Sequence, residues 1–244
     1  FFSSCYFRTR KMKAFLTLSL ATLLLGAVVA EQRIPIPSIP EGVTVLEGNP
    51  NVSLEAFYDL ACPDSAASQK ILMSIWDKLS TKINFTIHLF PLPFHYNGYI
   101  LDQGGRYFED KYPKSLYNDF VNAVFAVQTK YFNTGSVGLT VPQIKDEYAR
   151  DVASAIKEVN ENDFRAALDT RSDDLELRTT WKYACSRTVA GTPTFMLNGV
   201  MIDGAGSFTA DQWLSFLSKY TDAAPKTPQD DLAERINQLI DLFQ

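Results

Sequence analysis

The tetrapeptide Cys62-Pro63-Asp64-Ser65 stands where an apolar strand, running from Val52 to Tyr58, gives way to a helical pattern. This junction constrains the fold more than any other stretch. A strand must end, turn and feed a helix whose first position accepts proline, and the cysteine is held at the helix start. A thiol placed there meets unpaired N–H groups and the positive end of the helix dipole, both of which favour thiolate over thiol. Pro63 sets the entry into the helix, and Asp64, a neighbouring negative charge, works against ionisation. The departure is Ser65. A dithiol centre of the C-x-x-C type needs a second sulfur at this spacing to resolve the mixed disulfide left by the first. Ser65 reads as a replacement that switches off that resolution and also as a hydroxyl that donates to the sulfur.

The first thirty residues are read as upstream sequence and a secretory signal peptide starting at Met12. Arg8, Arg10, Lys11 and Lys13 precede an apolar run from Ala14 to Val29, which is too short to favour a spanning helix and ends at Ala30. Residues 1–11, with Cys5, are set aside. The chain carries a formal net charge of −5, and cleavage before Glu31 removes basic residues alone, leaving the remainder more acidic. With no basic patch, nucleic acid is not an expected partner. Two cysteines, Cys62 and Cys185, stay in the mature chain, so the domain is held by its core and not by a disulfide framework. The sequons Asn51-Val52-Ser53 and Asn84-Phe85-Thr86 make Asn51 and Asn84 candidate glycosylation sites, the second less accessible because it opens a strand. With two histidines, His88 and His95, a His-rich metal site is not expected; His95 reads as ordering the turn after Pro93.

Along the chain, residues 31–42 form an extended Pro-rich arm. Val43–Leu46, a second strand ending at Tyr58 and Ile83–Phe90 read as strands, with a helix from Ser65 to Leu79 between the last two. Residues 97–187 are helical. Leu116, Phe120, Val124 and Val127 form one stripe, Ile144, Tyr148, Val152 and Ile156 another, and a third helical region runs from Asn162, an N-cap candidate, towards Val189. Trp181, Tyr183 and Phe125 are read as core. A hairpin over Thr194–Ile202 turns at Asn198-Gly199, and Thr209 opens a helix reaching Tyr220. The fold class is α/β: a mixed sheet domain from residues 43–96 and 188–220, split by an all-helical insertion and followed over 221–244 by a linker and an amphipathic helix. Cys185 lies eight residues before Pro193 on a helix, beyond expected bridging reach of Cys62, and its role is open.

Three motifs occur in order: Phe57-Tyr58-Asp59 leading into Cys62-Pro63, Phe90-Pro91-Leu92-Pro93-Phe94-His95, and Val189-Ala190-Gly191-Thr192-Pro193-Thr194-Phe195. With the helical block between the last two, the chain from about Val43 to Tyr220 resembles the DsbA-like branch of the thioredoxin superfamily. The resemblance implies a cis peptide at Thr192-Pro193 beside the cysteine, where exposed backbone groups of these two residues would pair with a substrate strand. It also implies thiol–disulfide chemistry. Ser65 departs from the dithiol members and resembles monothiol C-x-x-S sites.

The expectation is a secretory-pathway oxidoreductase or isomerase acting through Cys62 on protein or glutathione mixed disulfides. Its partners would be cysteine-containing clients, with glutathione as co-substrate, no other cofactor, no metal and no membrane contact after signal cleavage. A redox-inactive binding or chaperone module and a glutathione-dependent transferase or isomerase are the alternatives. Asp241-Leu242-Phe243-Gln244 is not a retention signal, so secretion and a vacuole-like compartment stand beside the endoplasmic-reticulum lumen. The mature N-terminus is expected at Glu31. Intact-mass analysis of the exported protein should show it, and retention of residues 12–30 would reject the signal-peptide reading.

Overall fold

The computed structural model describes residues 34–37 and 39–221, of which those from Ile36 onward form one compact unit. The signal peptide, the C-terminal helix and the cleavage site read from the sequence lie outside the described residues. Residues 36, 37, 39 and 40 carry neither helix nor strand, and Ile36 and Ile39 are exposed.

Five strands form one sheet in the order β1 (Val43–Glu47), β3 (Asn84–Leu89), β2 (Ser53–Tyr58), β4 (Thr194–Leu197) and β5 (Val200–Met201). The β2 and β3 strands are parallel, with Ser53 opposite Asn84 and Tyr58 opposite Leu89; every other pairing is antiparallel. A parallel pair needs a crossover. Here it is α1 (Pro63–Ser74) and α2 (Trp76–Leu79), so the turn that leaves β2 opens the helix that carries the cysteine. One continuous helix from Ser65 to Leu79 is therefore not what forms. It breaks at Ile75, which leaves helical geometry at φ −118°, while Ser74 Oγ donates to Ile71 O at 2.6 Å and draws that carbonyl off the ladder. Trp76 then packs edge-on against Phe85.

Between β3 and β4 lie α3 (Gly98–Lys111), α4 (Tyr117–Val127), α5 (Val141–Ala155), α6 (Glu161–Ala167) and α7 (Arg171–Ser186). Thr140 and Gln143 cap α5 reciprocally. The third helical region differs from expectation. Its N-cap is Asn160, not Asn162, with Oδ1 accepting from Asp163 N at 3.1 Å, and the region divides into α6 and α7. Thr170 Oγ1 donates to Ala167 O at the break. After β5, α8 (Ala210–Thr221) closes the fold, its start capped by Thr209 and Gln212. The hairpin turn uses left-handed backbone at Asn198 (φ 49°) and Gly199 (φ 81°), the pair best able to adopt it.

Alternation along β2 sends Leu54, Ala56 and Tyr58 into the main core, with Phe85, Ile87, Phe120 and Trp213, and sends Phe57 to a smaller cluster with Phe90, Ala184 and Met196. The reading of Trp181 as core needs correction: it is 40 % exposed and stacks on Phe90, because α7 turns its small residue Ala184 towards the second sheet face. Tyr183 and Phe125 are half-buried at the edges of the smaller and main core clusters.

On that face Glu55 is an ion centre. It accepts from His88 Nε2 at 3.0 Å and pairs in two-pronged fashion with Arg187, one contact being 2.9 Å; His88 stacks between Phe57 and Tyr183. Burial alone would raise the Glu55 carboxyl, but hydrogen bonds and charge from Arg187 and His88 outweigh it and lower the group to about 2 from an ordinary 4.5. A carboxylate lowered on folding stabilises fully above its unfolded value and loses that contribution as pH falls through its folded one. Glu55→Gln should therefore destabilise by about 1–3 kcal/mol near pH 7. The gap should shrink in urea melts as pH is lowered from 4.5 towards 2, and a gap independent of pH would contradict the ion-pair account.

Candidate active site

The turn joining β2 to α1 is buried, so each backbone group in it needs a partner. Asp59, wholly buried, supplies most of them. Its Oδ1 accepts from Ala61 N at 2.7 Å, its Oδ2 accepts from Leu92 N at 2.8 Å and from His95 Nδ1 at 2.7 Å, and its carbonyl accepts from Cys62 N at 2.9 Å. Asp102 on α3 accepts from Leu60 N at 3.0 Å through Oδ1, and Gln128, just after α4, donates to Leu60 O and Cys62 O at 3.0 and 3.3 Å. Gly98 makes room: a Cβ there would stand 2.8 Å from Asp59 Oδ1.

The turn ends with Cys62 as the N-cap of α1, at φ −81° and ψ 121°, with Pro63 at the first helical position. Cys62 is 4 % exposed. Its thiol is directed across to the loop before β4, where Sγ donates to Thr192 O at 3.4 Å, and the Thr192–Pro193 peptide is cis. Asp64 lies in the first turn and is exposed. Ser65 is wholly buried, and its Oγ has no hydrogen-bond partner among the described residues. The expected Ser65–sulfur bond is therefore not formed, because the extended N-cap geometry turns the thiol towards Thr192 and away from its own helix.

A cavity of about 440 Å³ runs between α1 and the hairpin, with Asp64, Pro193, Met201 and Asp203 in its lining; Cys62 and Thr192 do not line it themselves, but their near neighbours Asp64 and Pro193 do. Ser68 Oγ donates to Gly206 O at 2.8 Å and ties the loop after β5 to α1.

Cys185 is free and half-buried against the smaller core cluster, where burial raises its thiol; Cys62 is free as well. Asn51 lies in an exposed turn, whereas Asn84 Oδ1 accepts from Gly48 N at 2.9 Å. Neither histidine belongs to a metal-like cluster among the described residues. Asp110, Asp173 and Glu176 converge, but Arg106 already pairs with Glu176 at 3.2 Å and Asp110 at 3.7 Å, so the cation is built in.

The role of Asp59, the carboxylate partner of His95, and the parts played by Asp102 and Gln128 are not evident from the motifs alone. An acid at the end of an apolar strand is a usable signal for Asp59. Nothing local marks Asp102 and Gln128, which reach the turn from 42 and 66 residues away.

This combination, a mixed sheet interrupted by helices with a cysteine capping the crossover helix and a proline loop facing the sulfur, defines a DsbA-like member of the thioredoxin superfamily. Residues 41–219 match the family model described as thioredoxin, and the chain belongs to that family. Among solved structures it is similar to oxidised BdbD from Bacillus subtilis (14 % identity, TM-score 0.60, covering 75 % of this chain and 100 % of that one). It is also similar to alpha-DsbA1 from Wolbachia pipientis (16 %, 0.58, 79 % and 95 %) and to MdbA, a thiol-disulfide oxidoreductase from Actinomyces oris (20 %, 0.54, 71 % and 83 %). No curated protein matches the sequence.

Asp102 supplies a test of the buried turn. Burial, then the Asp59 carboxylate beside it, raises its carboxyl well above the ordinary range, and Leu60 N offsets this in part. A folded carboxyl that holds its proton where the unfolded one gives it up stabilises fully at low pH and loses that contribution as pH rises. Asp102→Asn keeps an acceptor for Leu60 N and removes the ionisation. The variant's stability relative to wild type should therefore increase between about pH 4 and pH 8 in urea midpoints, and a constant difference would show that Asp102 does not titrate in this way.

Proposed function

We propose that this protein is a secretory-pathway thiol–disulfide exchange protein that works through Cys62 alone. The Cys62 thiolate attacks one sulfur of a client disulfide; the new S–S bond joins protein and client, and the client's other sulfur leaves as a thiolate. Ser65 offers no sulfur for internal displacement. A second thiol, from the client or from glutathione, then attacks the mixed disulfide and releases Cys62 as thiolate. No net oxidant is consumed when the attacking thiol belongs to the client, so the cycle is an isomerisation. Attack by glutathione on the client sulfur also releases Cys62 as thiolate, and it leaves the client with one free thiol and one cysteine in a mixed disulfide with glutathione.

The observation that carries this reading is the position of Cys62 at the N-cap of α1 with its sulfur facing Thr192 O, beside Pro193 and the open cavity. Thr192 and Pro193 would align the client strand, and Pro63 would hold the helix entry. Export fits the apolar run after Met12 and the exposed turn that presents Asn51 for glycosylation; no helix of the described residues is long and apolar enough to cross a membrane.

One observation favours a second reading, a binding module that uses the cavity without chemistry: Cys62 is 4 % exposed. The transferase reading has less support, since the Ser65 hydroxyl is buried and not presented to an incoming thiol.

Expression in the native secretory pathway, acid quenching and non-reducing electrophoresis should reveal mixed disulfides that vanish in Cys62→Ser. Ser65→Cys should lose most of them, because a resolving thiol would clear the client, and should gain insulin-reductase turnover. Native Cys62 that forms no adduct and alkylates only in denaturant would leave the binding module as the function.

A further inference from the structure

We infer that the cleft beside Pro193 selects cationic client segments, those with Lys or Arg next to the reacting cysteine. This rests on the exchange reading above and adds the class of client.

The cleft is walled on one side by the first turn of α1 and on the other by the hairpin end and the loop after it. Each wall contributes one exposed carboxylate, Asp64 from the helix and Asp203 from the loop, and no Lys, Arg or His lines the space. Neither carboxylate has an ion-pair partner among the described residues, in contrast to Glu55, Asp151 and Asp169, which are paired. The rest of the lining is uncharged: Met201, Ile202 and Pro193 are apolar, and Thr194 and Ser207 carry hydroxyls. A Cβ at Gly206 would stand 3.2 Å from Pro193 Cγ, so the loop packs directly on the proline, and the Ser68–Gly206 hydrogen bond holds Asp203's loop against α1.

The occupant is defined by these features together. An extended peptide that places its sulfur at Cys62 runs past Pro193, and its flanking side chains enter a cleft with two like charges and the apolar side chains of Met201 and Ile202. Long cationic side chains suit that space, since their methylenes lie on Met201 and Ile202 while their charged ends reach the carboxylates. Acidic flanks meet repulsion from both walls. The effect is one of exposed charges in a concave site, so it acts on association rate and is screened by salt.

The test uses the whole protein and three synthetic peptides with one cysteine flanked by Lys, Ser or Glu. Each peptide is activated as a mixed disulfide with thionitrobenzoate. Attack by Cys62 forms the protein–peptide disulfide and releases the thionitrobenzoate anion, read by absorbance, and a Cys62→Ser control corrects for other thiols. At low salt the Lys peptide should react at least about fivefold faster than the Glu peptide, and the ratio should approach one at high salt. Asp203→Asn should cut the Lys-to-Glu ratio by about half or more, with an unchanged urea melt certifying the fold; Asp64→Asn should act in the same direction.

Equal rates for all three peptides, or a ratio untouched by both substitutions, would overturn the charge selection and leave the exchange reading standing. Absence of release from every peptide, with Cys62 reactive once the chain is denatured, would instead remove the exchange reading itself and this inference with it.

Discussion

The Asp59 carboxylate is the contact on which the site depends. It is wholly buried and accepts hydrogen bonds from Ala61 N, Leu92 N and His95 Nδ1. Those bonds join the strand end, the loop after β3 and the turn before Cys62 into one rigid corner. A buried backbone turn without such acceptors would leave its N–H groups unpaired, at a cost of about 1–3 kcal/mol each. The helix start that presents the sulfur is thus an outcome of hydrogen-bond satisfaction one residue layer below it. Asp102 and Gln128 complete the layer from the helical insertion. The insertion is therefore part of the scaffold under the cysteine and not only a decoration on the sheet.

Two carboxyls, Glu55 on β2 and Asp102 on α3, behave in opposite ways. Glu55 gains two cationic partners and is held ionised; Asp102 gains only a backbone donor and a like charge, and burial pushes its carboxyl up. The contrast follows from what each face of the sheet is packed with. The face under α7 brings Arg187 and His88 to Glu55, while the corner under Cys62 contains a second carboxylate, Asp59, beside Asp102. Stability should accordingly fall at both ends of the pH range, through different residues.

Much of this architecture was readable from residue order. Alternation marked the strands, Asn198-Gly199 marked the hairpin and Thr209 with Gln212 marked the last helix, since each signal is local and each is used locally. Three expectations failed. The helix to Leu79 broke at Ile75 and the Asn160 cap displaced Asn162, where the pattern left more than one local solution and a side-chain hydrogen bond chose between them. Trp181 went to the rim because packing of α7 on the sheet turned another face of that helix inward.

The sequence by itself determined that a cysteine would cap a helix after a strand, that no second sulfur would stand one turn away at Ser65, and that a proline-bearing loop and hairpin would follow a helical block. All of these are statements about neighbours along the chain. Only the tertiary structure decided where the thiol points, because Thr192 is 130 residues away and the 3.4 Å contact to its carbonyl exists only once β2 and β4 pair. It also decided that Ser65 would be buried without a partner, that Asp59 would hold the corner, and that Asp64 and Asp203 would face one cleft. Such outcomes depend on which surfaces meet in three dimensions, and hydrogen-bond and charge complementarity between them have no signature at the spacing of a local motif.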